Sequence, residues 1–275
     1  DEAVLVGERL PRSHTLSTQF LTAPGIASMA LVALLGITTV GWLRRSPQPV
    51  AVVPDSLVDL GLPAQIEIAF EQNKVDVATA LTEELIQQGE YANAIAALDT
   101  AKPRQRKDVI VSFLKGRSQW GLAKQSDSDF EPGDAMRSWM MSLEDEPDWM
   151  EISMALGFAQ YATGREDLAL ESWRKAIKLA EQQPDGKGIF SSEPASAYAL
   201  NAYAGKAIAA LSLSNIDTDP AERGRLMDEA SEAYRKVMND APADFNEDAL
   251  GGNWLWLEEA IVKWEETKAE LSQTL

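Results

Sequence analysis

The 275-residue chain contains no cysteine and only one histidine, His14. Without thiols it cannot form disulfides, thiolate metal sites or a cysteine nucleophile. Because His14 lies in the N-terminal tail, the body of the chain lacks the residue most used for acid–base chemistry and as a metal ligand. No glycine-rich phosphate loop with Walker spacing is present. The sequence therefore predicts a protein that is not an enzyme, with no cofactor, no metal site and no evident small-molecule substrate.

Basic residues are also scarce: 25 Lys and Arg face 43 Asp and Glu, for a net charge of −18. Such an acidic chain repels a phosphate backbone, so nucleic acid is not an expected partner. One basic cluster departs from this balance, the segment "KPRQRK" with Lys102, Arg104, Arg106 and Lys107. Two interpretations are open. The cluster binds anionic lipid headgroups or an acidic partner segment, or it is a solvated loop whose cations lie near a helix carboxyl end.

One stretch, residues 23–43 ("APGIASMALVALLGITTVGWL"), has no charge over 21 positions. At about 1.5 Å per residue it can cross a hydrocarbon core of about 30 Å. Trp42 lies where an interfacial aromatic residue belongs, and two arginines follow. We therefore expect an N-terminal tail over residues 1–22, a transmembrane helix over residues 23–43 and a proline-rich linker over residues 44–54. The two arginines favour the cytoplasmic side for the rest of the chain.

The remainder of the chain shows helical rather than two-residue periodicity. One unit contains Leu156-Gly157, Gly164, Ala169, Trp173 and Ala176. This pattern resembles the tetratricopeptide repeat (TPR), a helix–turn–helix in which small residues let two helices approach and a large ring fills the space between pairs. Further copies contain, in chain order, Leu81, Leu85, Gly89, Tyr91, Ala94, Leu98 and Ala101, then Gly116, Trp120, Ala135, Trp139 and Ser142, and then Gly205, Ala230, Tyr234 and Val237. The resemblance implies an all-α, TPR-like helix-turn-helix solenoid over residues 55–252.

The last segment, residues 253–275, is predicted to form a C-terminal capping helix. Asn253 can cap a helix after the Gly251-Gly252 break. At helical spacing one face would carry Trp254, Leu257, Ile261 and Trp264. An amphipathic helix of this kind closes the last repeat of a solenoid, which would otherwise expose its core. The alternative is a helix that binds a partner.

The repeat pattern also predicts where partners bind. First helices of successive repeats line the concave face of a solenoid, and Arg117, Phe158 and Lys206 occupy equivalent positions on three of them. The Lys and Asn set with which some members of the family clamp a C-terminal peptide is not matched here. We therefore expect a protein-binding groove that works through shape and apolar contacts. Replacing Arg117 and Phe158 is expected to weaken capture of a partner and to leave helicity intact.

Together these features predict a single-pass membrane scaffold that binds other proteins through its repeat domain. The layout resembles membrane-anchored repeat proteins of cyanobacteria and chloroplasts that assist photosystem assembly or repair. That resemblance implies a thylakoid or plasma membrane and a repeat domain on the cytoplasmic side. An alternative is an envelope protein whose repeat domain works outside the cytoplasm with secretion or division machinery. A third possibility, an enzyme or its regulatory subunit, lacks a recognisable nucleophile and base.

Overall fold

The computed structural model describes residues 60–125, 128–182, 195 and 199–274, which belong to one compact unit. Regular structure within these ranges is entirely helical, as the periodicity predicts. Eleven α-helices lie in the described ranges: α1 (Leu62–Glu71), α2 (Val75–Gln87), α3 (Tyr91–Leu98), α4 (Val109–Ala123), α5 (Pro132–Asp145), α6 (Met150–Ala162), α7 (Glu166–Gln182), α8 (Leu200–Ile216), α9 (Pro220–Asp240), α10 (Glu247–Gly252) and α11 (Glu258–Thr274). Two short 3₁₀ turns are Gln105–Lys107 and Pro242–Phe245.

Helices that are adjacent in the sequence also pack together in space. Four pairs follow one another, α2 with α3, α4 with α5, α6 with α7, and α8 with α9. Each pair contacts the next through its second helix, and two contacts join first helices directly, α2 with α4 and α6 with α8. Helix α1 packs on the first pair and α11 on the last. This row of helix pairs agrees with the predicted all-α solenoid.

The turns inside the pairs depend on residues that tolerate a left-handed backbone. Gly89 has φ of 78° and Gly164 has φ of 73°. After Gly164 the N–H of Arg165 donates to the carbonyl of Gln160 at 2.9 Å, which closes the end of α6. Asn73 adopts φ of 60° between α1 and α2. Apart from glycine, asparagine is one of the few residues that adopt a left-handed backbone readily. The turn between α1 and α2 is therefore of the same kind, although the sequence pattern did not indicate it.

The predicted role of the small residues is confirmed where helices touch. Trp173 is fully buried between Gly157 on α6 and Gly205 on α8. A Cβ atom on Gly157 would lie 2.5 Å from the indole Nε1 of Trp173, and one on Gly205 would also overlap the ring. Gly116 stands in the same relation to Trp139, again at 2.5 Å. Each ring fills the space that a missing side chain leaves, which fixes the spacing of the helices.

The C-terminal helix differs from its prediction in where it starts. Helix α11 begins at Glu258, and Gly251 and Gly252 end α10 rather than forming a break. The side-chain oxygen of Asn253 accepts the N–H of Leu255 at 3.1 Å. Because Asn253 is used in this local turn, it does not cap α11. Residues 253–257 therefore form a separate element, called here the C-terminal turn.

This shift changes which aromatic residues close the array. Trp254 lies in the C-terminal turn, outside the helical face on which it was expected. Ile261 and Trp264 are buried on α11, as predicted. Trp256, which the helical spacing did not select, is fully buried. The helix closes the array as expected, but the turn that precedes it contributes much of the apolar contact.

The predicted tail (residues 1–22), transmembrane helix (residues 23–43) and linker (residues 44–54) lie outside the described residues. Among the helices that the structure does describe, none combines the length and the apolar composition that crossing a bilayer requires. Membrane attachment thus stays a prediction from the sequence.

Two glycine substitutions test the packing between helix pairs. We expect Gly157→Ala to lower the free energy of unfolding by about 1–3 kcal/mol, because the new Cβ meets the buried ring of Trp173. Gly224→Ala in α9 faces open space and should raise it by about 1 kcal/mol through helix propensity. Urea denaturation followed by circular dichroism measures both. Equal stability of the two variants would contradict the packing described here.

Candidate protein-binding groove

The three predicted groove residues lie on first helices, Arg117 on α4, Phe158 on α6 and Lys206 on α8. They do not line an open surface. The side chains of Arg117 and Lys206 are 14% and 12% exposed, and Phe158 is 2% exposed. Each of them contacts other parts of the same chain. The expectation of an open groove at these positions is therefore corrected, because the C-terminal turn covers Arg117 and Phe158, and Glu229 and Tyr203 lie against Lys206.

Helix α4 holds the C-terminal turn by its backbone. The indole Nε1 of Trp120 donates to the carbonyl oxygen of Trp254 at 2.9 Å. The Nζ of Lys124 donates to the carbonyl oxygen of Asn253, also at 2.9 Å. Side chains of a first helix thus bind main-chain acceptors of a short non-helical segment. This is the kind of contact by which a groove binds a peptide.

Arg117 joins three parts of the structure. Its Nη1 lies 2.7 Å from both carboxylate oxygens of Glu83 on α2. Its guanidinium carbon lies 4.8 Å from the ring centroid of Trp254. A charge-assisted pair and a cation–π contact are both stronger when they are shielded from water, as they are here. Arg117 therefore fixes α2, α4 and the C-terminal turn relative to one another.

Phe158 belongs to an aromatic cluster rather than to a binding surface. Its ring centroid lies 5.2 Å from that of Trp173 and 5.1 Å from that of Trp256, both in edge geometry. The indole Nε1 of Trp256 donates to the side-chain oxygen of Asn201 on α8 at 2.8 Å, and Asn253 donates to the same oxygen at 3.1 Å. The expectation that Phe158 can be replaced without harm to folding is therefore revised, because its removal would open the core.

Lys206 is one of three cations around Glu229 on α9. Its Nζ lies 3.9 Å from Glu229. Arg174 on α7 donates to both carboxylate oxygens, at 2.8 and 2.5 Å, and Arg225 approaches to 3.3 Å. Burial opposes ionisation, yet the hydrogen bonds from Arg174 and the neighbouring positive charges hold the pKa of Glu229 below its usual value. The cluster ties α7, α8 and α9 together.

A cavity of about 350 Å³ lies between α2, α4 and the start of the C-terminal turn. We call it the Lys124 pocket. Its lining residues are Ile86, Gln87, Tyr91, Arg117, Trp120, Gly121, Lys124, Gln125, Gly252 and Trp254. A Cβ atom on Gly121 would lie 2.5 Å from the ring of Tyr91, so the glycine sets the position of that wall.

The basic cluster is built around a buried glutamine. The side chain of Gln105 donates to the carbonyl oxygen of Phe70 at 2.9 Å, which fixes the turn against the end of α1. Arg106 donates to the carbonyl oxygens of Ala101 and Asp99 at 2.6 and 2.9 Å, just beyond the carboxyl end of α3. Such contacts satisfy carbonyl groups that the helix leaves unpaired.

The other three cations of the cluster are exposed. Lys102 reaches the carbonyl oxygen of Glu71 at 3.3 Å, at the end of α1. Arg104 and Lys107 make no hydrogen bond or ion pair to any residue in the described ranges. The loop interpretation thus accounts for Arg106 and Lys102, while Arg104 and Lys107 are available to an anionic partner.

Three polar residues that organise the groove have no signal in the repeat pattern: Glu83, Lys124 and Asn201. Glu83 and Asn201 are buried on first helices, and Lys124 directly follows α4. The sequence could have indicated them only as polar residues on otherwise apolar helix faces, because a buried polar side chain needs a hydrogen-bond partner. The sequence does not show which partner that is, because the C-terminal turn comes from far along the chain.

Comparison with protein-family models finds no family that matches the sequence, and comparison with curated proteins finds no relative. Within the described ranges no group of three or more acidic or histidine side chains is placed to hold a metal ion. Function is therefore inferred from the sequence pattern and from the geometry of the groove.

The docking of the C-terminal turn is tested by removing its buried ring. We expect Trp256→Ala to lower the free energy of unfolding by about 3–5 kcal/mol, because the indole is fully buried and hydrogen-bonded. Val262→Ala on α11 removes a side chain that is 49% exposed, so its effect should stay within about 0.5 kcal/mol. Chemical denaturation compares the two. A loss at Trp256 no larger than that at Val262 would show that the turn is not docked.

The charge cluster around Glu229 predicts a dependence of stability on pH. Because the pKa of Glu229 is lowered in the folded protein, its ionised form stabilises the fold above about pH 4.5, and this contribution is lost as the pH falls through the folded-state pKa. Glu229→Gln should therefore lose less stability than the parent protein between about pH 6 and pH 3.5. Glu232→Gln, an exposed position on the same helix, is the matched control. Parallel pH profiles for Glu229→Gln and the parent protein would contradict this assignment.

Proposed function

We propose that this chain is a TPR-like repeat protein that binds other proteins in its groove. Anchored in a membrane by residues 23–43, it would act as a scaffold that assists the assembly, repair or maintenance of a membrane protein complex. One observation carries the proposal: Trp120 on α4 and Lys124 directly after it bind the main-chain carbonyl oxygens of Trp254 and Asn253. The groove of this chain already holds a peptide segment, its own.

Hydrogen bonds to the main chain of a bound segment are typical of proteins that bind peptides. Hydrogen bonds to carbonyl oxygens do not depend on the side chains of the bound segment, so they give affinity, while neighbouring pockets give specificity. In this groove the Lys124 pocket lies directly beside the bound carbonyl groups. The rigid helix pairs on either side keep donors and pocket at a fixed distance, because buried rings such as Trp173 set the helix spacing.

The membrane part of the proposal is supported by the sequence. An uncharged run over residues 23–43 and a short proline-rich linker would hold the repeat domain close to the bilayer, on the cytoplasmic side according to the flanking arginines. The exposed side chains of Arg104 and Lys107 offer charges complementary to anionic headgroups. The narrower proposal that the complex is a photosystem is supported by the resemblance in layout to cyanobacterial and chloroplast assembly proteins.

Affinity purification in mild detergent tests this function. The full chain and two variants are recovered from its own membranes, and the co-purified proteins are identified by mass spectrometry. Gln87→Trp fills the rim of the Lys124 pocket, whereas Gln88→Trp adds the same ring one residue away, at a position that does not line the pocket. We expect the parent protein and Gln88→Trp to recover the same subunits of a membrane complex, and Gln87→Trp to lose them.

Each outcome separates the parts of the proposal. Photosystem subunits or their assembly factors would support the narrower proposal, and translocon or division proteins would replace it with the envelope alternative. Recovery of the same subunits with Gln87→Trp would show that partners bind outside the Lys124 pocket. If no protein is enriched over a mock purification, the scaffold function is wrong.

A further inference from the structure

The Lys124 pocket has a charge opposite to that of the whole chain. Among the described residues its lining contains two cations, Arg117 and Lys124, and no acidic side chain. The chain as a whole has 43 acidic residues and a net charge of −18. A positive cavity in a protein of negative net charge attracts anionic groups, because most of the surrounding surface repels them. The charge of the pocket therefore indicates an anionic partner, an inference that rests on the proposed binding function.

The two cations differ in what compensates their charge. Arg117 is paired with the carboxylate of Glu83 at 2.7 Å. Lys124 donates only to a neutral acceptor, the carbonyl oxygen of Asn253, and forms no ion pair with any carboxylate in the described ranges. Lys124 is an exposed residue, and partial burial of its ammonium group beside the C-terminal turn lowers its pKa. A carboxylate placed in the pocket would compensate that loss of hydration.

The remaining walls are apolar and aromatic. Ile86, Tyr91, Trp120 and Trp254 surround the space next to the ammonium group. A volume of about 350 Å³ lies at the lower end of the range for ligand sites, about 300–1,000 Å³. The pocket thus has room for a few side chains of an extended segment and not for a folded domain. The amide side chains of Gln87 and Gln125 at its edge can pair with a peptide backbone.

We propose that the Lys124 pocket binds an acidic segment of a partner protein. A Glu or Asp side chain of that segment pairs with Lys124, and a neighbouring large apolar side chain enters between Tyr91, Trp120 and Trp254. A peptide is the fitting occupant because the pocket is continuous with an interface that already binds one, the C-terminal turn on α4. The acidic side chain is what distinguishes this occupant from the chain's own segment, which meets Lys124 with a neutral carbonyl oxygen.

The test uses fluorescence anisotropy with the full chain in detergent micelles and labelled, C-terminally amidated peptides. The probe is a Gly-Ser peptide with the central sequence Glu-Phe-Glu. Its matched controls carry Gln-Phe-Gln or Glu-Ala-Glu, and a fourth peptide carries Gln-Ala-Gln and ends in a free carboxylate. We expect Glu-Phe-Glu to bind most tightly, and each control to bind at least about tenfold more weakly, which is the usual scale for one lost charged or apolar anchor.

Variants of the protein locate the binding site. Lys124→Gln should weaken Glu-Phe-Glu binding at least about tenfold, and Lys124→Arg should restore most of it. Lys115→Gln removes the same charge from the same helix outside the pocket, where Lys115 pairs with Asp99, and should leave binding unchanged. Circular dichroism checks the fold of each variant. If Lys124→Gln does not fold, the comparison of Glu-Phe-Glu with Gln-Phe-Gln on the parent protein decides the question.

Three results would overturn the inference. Equal binding of Gln-Phe-Gln would remove the role of charge, and preference for the free-carboxylate peptide would assign the pocket to a chain end. Absence of binding by all four peptides would show that the pocket does not take a peptide. That last result is distinguishable from failure of the scaffold function, because enrichment of partners in the detergent purification does not depend on these probes.

Discussion

The close approach of helices around buried tryptophans is the constraint on which the rest of the structure depends. Trp173 lies between Gly157 and Gly205, where any Cβ atom would overlap its ring. The ring therefore acts as a spacer of fixed size between two helix pairs. Gly116 on α4 and Trp139 on α5 make the same kind of contact inside one helix pair. These contacts fix the distances between the helices on which the groove residues lie.

The C-terminal turn then divides the groove into two parts. Over α6 and α8 the rings of Phe158 and Trp256 and the side chain of Asn201 seal it with buried contacts. At α4 the carbonyl oxygens of Asn253 and Trp254 accept hydrogen bonds, and the Lys124 pocket lies beside them. A segment that is part of the core is costly to displace, so the proposed partner would bind at the Lys124 pocket instead. The turn would thus select the end of the groove at which that partner binds.

Local spacing explains what the sequence could and could not reveal. Gly89, Gly164 and Trp173 were predictable because a left-handed turn and a close helix contact each demand a particular residue type. The turn at Asn73 was missed because asparagine takes the place of glycine there. The repeat pattern placed three groove residues on the correct helices: Arg117, Phe158 and Lys206. It did not reveal their burial. Arg117 is covered by Trp254, more than a hundred positions away, and Lys206 is held by an ion pair that no local pattern encodes.

Charge placement separates the cations that build the fold from Lys124, on which the proposed binding of an acidic segment depends. Arg117, Arg174 and Lys206 each meet a carboxylate from another helix, which fixes helices relative to one another even though a shielded ion pair adds little net stability. Lys124 meets a neutral oxygen instead, although the chain is rich in carboxylates. Within the described residues its ammonium group therefore has no counter-charge, which adds nothing to the stability of the fold. The proposed acidic segment would supply that charge, so its affinity would include the ion pair with Lys124.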